Sequence, residues 1–262
     1  MAKSKHYYIR KAHRFLGIIL GVQFLFWTIS GMYFSWSNMD EIHGDFEKKS
    51  AALIPVTFQM ASPSIVLEHI VAEGADSIVS LQVVNIDGDP VYQVRYIDNK
   101  AEHHSHSRKV KVQLADAQTG RLIPPLSKER SIALAISRFN GSEPVRDVAY
   151  LESTGGHHEY RASPLPAYAI TFNNDANTTV YVASELGTVQ SFRNEKWRIF
   201  DFLWMTHTMD YQSRDNISNY LLRIFSIFGL ITVLSGFALY FISSRRFRTF
   251  RHNNHHSAKY YK

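Results

Sequence analysis

Two apolar runs, one near each end of the chain, limit what this sequence can fold into. Phe15 to Trp36 reads FLGIILGVQFLFWTISGMYFSW, 22 residues without a charge, and Leu221 to Ile242 reads LLRIFSIFGLITVLSGFALYFI, 22 residues with only Arg223. About 20 apolar residues at roughly 1.5 Å rise cross a hydrocarbon layer of about 30 Å, so both runs are expected to be transmembrane helices. The first ends in Tyr33, Phe34 and Trp36 rather than in small residues, which marks an anchor and not a cleaved signal peptide.

Charge orients the two spans. Residues 1–14 hold five bases and no acid, and residues 245–262 hold six bases and no acid. Lysine and arginine beside a span stay on the cytoplasmic side, so both termini are expected inside and residues 37–220 outside. The remaining 18 bases face 23 acids, leaving the middle of the chain at net −5 although the whole carries +6. A nucleic-acid partner is therefore excluded, because its basic footprint would have to lie on that folded middle. The chain has no cysteine, which suits an oxidising compartment and removes disulfides and thiolate metal sites. Tyr33, Trp36, Trp204, Tyr211 and Tyr220 are expected to form the outer aromatic belt, with Arg223 snorkelling to headgroups.

The outer region reads as α+β. SPSIVLEHIVAEG predicts a helix with Ser62 or Ser64 as N-cap and Gly74 as stop. Two β-type runs follow, joined at Asp87-Gly88-Asp89-Pro90, and a third with Val110, Val112 and Leu114 on one face turns at Thr119-Gly120. The order then repeats more loosely, from a short helix capped by Ser127 to LGTVQSF, which matches TGRLI at the end of the first half. The expected fold class is thus an α+β region of two α-β-β-β units anchored by two transmembrane helices. Its expected parts are a basic tail (1–14), the first span (15–36), a connector (37–61), the two units (62–126 and 127–195), a juxtamembrane aromatic helix (196–212), the second span (221–242) and a second basic tail (243–262).

The stretch RKAHRFLGIILGVQFLFWTISGMYFSW resembles the opening helix of PepSY-associated transmembrane proteins. LPAYAITFNNDANTTVYVASELGTVQSF is similar to a PepSY module, and FDFLWMTHTMDY with the second span resembles the end of the compact two-span type. The resemblance implies a bacterial inner-membrane protein with a periplasmic PepSY region. It also implies two functions: larger relatives bind haem b and reduce ferric siderophores, whereas soluble PepSY modules inhibit or assist peptidases.

No HExxH, GxSxG, P-loop or strand-borne GxGxxG occurs, so an autonomous enzyme is not expected; if catalytic, the chain would be a membrane oxidoreductase of the ferric-siderophore type. Histidines carry the remaining chemistry. In WRIFDFLWMTHTMDY, helical spacing places Trp197, Phe200, Trp204, His207 and Tyr211 on one face, which either packs, binds a partner or holds a ligand. His43 follows the first span on the side where His207 precedes the second, so the pair is a candidate for haem or metal. The competing expectation is that His207 donates to a backbone carbonyl or to Asp210 while His43 caps a turn at Gly44. His13, between Lys11 and Arg14, is a third candidate ligand, on the opposite side of the bilayer from His207. His103, His104 and His106 in HHSHSRK are candidate metal ligands or a solvated hairpin tip; GGHHE, Gly155 to Glu159, is a lesser metal candidate. Gly17 and Gly21 form a small-xxx-small pair; Ser30-Gly31 and Ser235-Gly236 could pack the spans together but lie at different depths, the first near the outer end and the second nearer the inner. Two helices make a thin bundle, so besides membrane lipid the expected partners are a second copy or a larger membrane or periplasmic protein. Two functions stay open: a non-enzymatic binding or regulatory subunit, and a haem-binding redox component of iron handling.

Overall fold

The computed structural model describes residues 5–98 and 110–243. Its helices are α1 (Lys5–Trp36), α2 (Met39–Ile42), α3 (Pro63–Ala72), α4 (Lys128–Arg138), α5 (Glu195–Thr208) and α6 (Tyr220–Ser243). The strands are β1 (Ala75–Ile86), β2 (Asp89–Asp98), β3 (Val110–Asp116), β4 (Leu122–Ile123), β5 (Val145–Leu151), β6 (Ala167–Phe172), β7 (Thr179–Ala183) and β8 (Thr188–Arg193). The chain divides into a helical unit, Met1–Trp36 with Phe200–Lys262, and an α+β unit, Ser37–Ile199. The division falls inside α5.

In the helical unit, Tyr7–Trp36 and Tyr220–Phe241 are long and apolar enough to cross a membrane. Only 17% and 11% of their most apolar windows are buried, whereas the core helix of a soluble fold would be mostly covered, so the pair serves as a membrane anchor. α1 begins at Lys5, ten residues before the apolar run, because nothing in the basic segment breaks a helix; the N-terminal part expected as a tail is helical from there. The two helices run antiparallel, with His13 beside Ser235 and Phe24 against Gly229, where a Cβ would meet the Phe24 ring at 3.2 Å. Their apolar runs are consequently offset. The last residues of α6's run lie alongside the basic first turns of α1, while α1 outreaches α6 at the other end.

There the second half of α5 packs on α1, with the rings of Phe200 and Trp204 4.9 and 6.0 Å from that of Phe34. The last turn of a helix leaves carbonyls without intrahelical partners. Here side chains supply them: Gln23 Nε2 donates to the Thr206 oxygen, Trp27 Nε1 to that of His207 and Asn219 Nδ2 to that of Thr208. The chain then leaves the helix through Met209 at φ +54. Asp210 organises the connection to α6 by accepting from the backbone of Gln212, Ser213 and Asn216. Burial opposes its charge, but these bonds and the Ser213 hydroxyl outweigh it and bring the carboxyl down to about 2.

The α+β unit contains two antiparallel sheets, ordered β1-β2-β3-β4 and β5-β6-β7-β8. Each helix is followed by four strands rather than three, because TGRLI folds back on β3 as the two-residue strand β4. The N-caps are Ser62 and Ser127, which accept from the backbone of Ser64 and Arg130. Asp87 and Gly88 join β1 to β2 with φ of +53 and +98, the two-residue turn whose twist suits a hairpin. Alternation along the strands sorts side chains into two layers. Tyr92, Val94, Tyr96 and Ala115 pack under Val66 and Ile70 of α3. On the other face, Ile86, Val91 and Leu114 join Leu134 of α4, Phe139 at its C-cap, and Ile170, Phe172, Val180 and Val182 from the second sheet in one core. The Phe139 and Phe172 rings stack at 4.0 Å. Gly187, at φ +66 in the β7–β8 turn, is fixed by this core, since a Cβ there would lie 2.5 Å from Ile86 Cδ1.

Candidate functional site

Two serines in the apolar helices hold an imidazole each, His207 and His13, in the same way. Ser30 Oγ donates to the Phe26 carbonyl at 2.7 Å and sits 2.7 Å from His207 Nδ1. Ser235 Oγ donates to the Thr232 carbonyl at 2.7 Å and sits 2.7 Å from His13 Nδ1. A hydroxyl has one proton. Where that proton goes to the carbonyl, Nδ1 is the donor and the Nε2 lone pair of each ring is left as acceptor or ligand. His207 is half-buried beside the Phe34 and Trp27 rings, at 5.6 and 6.4 Å, and burial lowers its pKa, favouring the neutral form.

This corrects two expectations. His207 Nδ1 bonds the Ser30 hydroxyl, not a carbonyl or Asp210, whose carboxylate serves its own loop. Of the two Ser-Gly pairs, Ser235-Gly236 does join the spans, through His13 of α1, whereas Ser30 bonds His207 of α5 and Gly31 meets nothing within 4 Å. The glycines that do meet a neighbouring helix are Gly229 and Gly236; an added Cβ at Gly17 or Gly21 finds nothing within 4 Å. Gln23, Ser30 and Ser235 were the legible signal, since polar groups inside a span need a purpose.

The serines fix how far apart the imidazoles lie. His13 and Ser30 are 17 residues apart on α1, about 25 Å at helical rise, so one metal or haem iron cannot take both. Among the described residues, a haem at either position would find one imidazole from this unit. His43 belongs to the α+β unit, where it is exposed at the C-cap of α2 before Gly44 at φ +68. Among the described residues no three His, Asp or Glu side chains are grouped to hold a metal; His103, His104 and His106 lie outside the described residues.

The single aromatic face expected from Trp197 to Tyr211 is divided. Trp197 is buried in the α+β unit under the Arg193 guanidinium, 4.1 Å from its ring. Phe200 and Trp204 pack on Phe34, and Tyr211 lies beyond the end of α5 with 45% of its surface exposed. The reason is the cap at Thr208, which stops the helix one turn short of Tyr211.

GGHHE resolves into an ion pair. Arg198 Nε and Nη2 reach the two Glu159 carboxylate oxygens at 2.7 and 3.1 Å, and the Tyr181 hydroxyl donates to the same carboxylate at 2.6 Å. His158 Nδ1 accepts from the Tyr160 backbone. Both oxygens of Glu159 are thus engaged, and sequence spacing gave no hint that residues 159, 181 and 198 meet.

The α+β unit also has a cleft of about 700 Å³. One wall is the part of the first sheet that extends past the shared core, carrying Gln82, Gln93, Arg95, Val110 and Val112; the other carries Glu185, Leu186, Thr188 and Gln190. Pro164, Leu165, Pro166 and Glu152 close it. Gln82 donates to Gln93 at 2.6 Å, and Gln93 donates to the Leu186 carbonyl at 2.5 Å. An amide ladder therefore crosses the floor, with Arg95 exposed on one side and Glu152 and Glu185 exposed on the other. Thr188 and Gln190 belong to β8, which among the described residues is an edge strand paired with β7. No protein-family model, curated protein or solved structure matches this chain.

Proposed function

We propose that the protein is a membrane-anchored, non-enzymatic binding or regulatory subunit whose α+β unit takes an extended polypeptide segment. As the PepSY resemblance implies, we place that unit in the periplasm of a bacterium, with both termini in the cytoplasm. The amide-floored cleft beside the β8 edge carries the reading. An extended chain presents alternating donors and acceptors, which match glutamine amides and a strand edge, while side chains enter neighbouring pockets. Arg95 opposite Glu152 and Glu185 would fix the direction and register of that segment.

Selection of a random peptide display library on the purified full-length protein tests this. Enriched peptides are expected to bind about tenfold more weakly to Arg95→Glu, a change of about 1.4 kcal/mol. Binding to Lys49→Glu, outside the cleft, should be unchanged. A library that yields no binder, or binders indifferent to Arg95→Glu, refutes the assignment.

The serine-held imidazoles favour a second reading, a haem-binding redox component of iron handling. A ligating histidine ordinarily donates its other ring nitrogen to a fixed acceptor, and Ser30 gives His207 that arrangement. Haem b would supply the one-electron step; the chain would supply an axial imidazole in an aromatic setting and a second ligand from outside this unit. Purified protein should then show a Soret band that disappears in His207→Ala and shifts in Ser30→Ala. Colourless protein after expression with haem supply rejects it.

A further inference from the structure

We infer that the end of the helical bundle carrying both termini binds an anionic phospholipid, its acyl chain in a groove on α6 and its phosphate held by Arg10 and Arg14 of α1. The inference rests on membrane anchoring and is independent of the peptide cleft. The groove has a volume of about 500 Å³ and is lined by Val233, Gly236, Phe237, Tyr240 and Phe241. Phe237 and Tyr240 are 58% and 65% exposed.

Helix geometry places the arginines against this groove. His13 bonds Ser235, and its Cε1 lies 3.5 Å from where a Cβ on Gly236 would stand, so residues within one turn of His13 are level with the groove. At roughly 100° per residue, Arg10, Arg14, Gly17 and Gly21 all fall to one side of the His13 direction. Gln23, Trp27 and Ser30, which meet α5, fall to the other. On α6, Val233, Phe237 and Tyr240 fall to one side of Gly236. Because the helices are antiparallel, the two sides coincide. The groove and the exposed arginines therefore share one flank of the helix pair, opposite α5. Gly17 and Gly21 leave the α1 wall of that flank bare, with nothing within 4 Å of an added Cβ at either.

The offset of the apolar runs supplies the driving force. A hydrocarbon layer that covers α6 to its end draws Arg10 and Arg14 to headgroup depth or below. A cation there is costly unless it snorkels or meets an anion. A phosphodiester with a net negative charge satisfies guanidinium groups through charge-assisted hydrogen bonds, and its chain fills the apolar groove. A second copy of the protein fits less well, since it would bring two more arginines to the same place.

Native mass spectrometry of the full-length chain in neutral detergent, titrated with dioleoyl phosphatidylglycerol or dioleoyl phosphatidylcholine, tests this. Phosphatidylglycerol is expected to bind at least tenfold more tightly. That preference should disappear in Arg10→Gln/Arg14→Gln and persist in Arg223→Gln, an arginine at the other end of α6. Phe237→Ala should weaken both lipids. Equal binding of the two lipids by the unaltered protein overturns the inference whether or not any variant folds. So does retention of the preference in the double variant. Displacement of lipid by millimolar inorganic phosphate would mean a site for the headgroup alone, and a dimer that excludes lipid would assign the groove to a second copy; either result also overturns it.

Discussion

Arg198→Met is expected to destabilise the α+β unit by about 3 kcal/mol, because removing one partner of a buried ion pair leaves the other charge uncompensated. The side chains of Arg198 and Glu159 are 29% and 19% exposed, which places the cost at the low end for such pairs. Arg198 also donates to the Asn177 carbonyl and to Thr179 Oγ1, tying the first turn of α5 to β7 and the turn before it. Unfolding followed by Trp197 fluorescence, with the other three tryptophans replaced by phenylalanine, gives the difference. Glu159→Gln/Arg198→Met should recover much of it, since the stranded carboxylate is gone; a double variant as unstable as Arg198→Met would locate the loss elsewhere.

The pH dependence fixes the sign. Burial alone would raise the Glu159 pKa, but hydrogen bonds from Arg198 and Tyr181 outweigh it and hold the carboxyl below its ordinary range. A group whose folded pKa is depressed contributes stability that is present above its unfolded value, about 4.3, and is lost as pH falls through the folded value. In Arg198→Met, burial is opposed only by the Tyr181 hydroxyl and the Arg193 charge, and the balance moves towards the acid form. The gap between the two proteins should therefore be widest near neutral pH and narrow below about pH 4.

How far the sequence reveals these features depends on their range. The spans, the caps at Ser62 and Ser127 and the hairpin turn at Asp87-Gly88 are written within four to twenty consecutive residues, where periodicity and turn chemistry act directly. The likeness of TGRLI and LGTVQSF was legible too, because each turns on its own glycine, Gly120 or Gly187, and both glycines have positive φ. The helix over the basic segment from Lys5 was not, since solvated charge reads as a tail until a neighbouring helix gives it a level. The serine–histidine bonds join residues 177 and 222 positions apart, and the Glu159–Arg198–Tyr181 group depends on which strand faces which loop. Only the types were visible in advance: polar residues in apolar spans, and a carboxylate beside two histidines. The amide cleft left no pattern, because it is the part of one sheet that a second sheet does not cover.

Arg214→Met should have a comparable effect in the helical unit, about 3 kcal/mol, through a different consequence. Asp201, at the middle of α5, is 3% exposed and accepts from Arg214 Nη1. Arg214 belongs to the loop organised by Asp210 and holds φ +67, a conformation it keeps only if something fixes it. The pair thus joins α5 to the loop that leads into α6. Without the guanidinium, a carboxylate stays buried beside an apolar bundle, where little water can replace its countercharge. The expected response is release of the end of α5 from α1, breaking the bonds from Gln23 and Trp27 to the last carbonyls. A lower melting temperature in detergent, with faster labelling of a cysteine introduced at Thr208, would report it. Asp201→Asn/Arg214→Met should restore most of the stability, because the cost lies in the stranded charge and not in the missing contact. If instead the double variant labels as fast as Arg214→Met, the side-chain donors on α1 and α6 do not suffice to hold α5, and the ion pair itself sets its position.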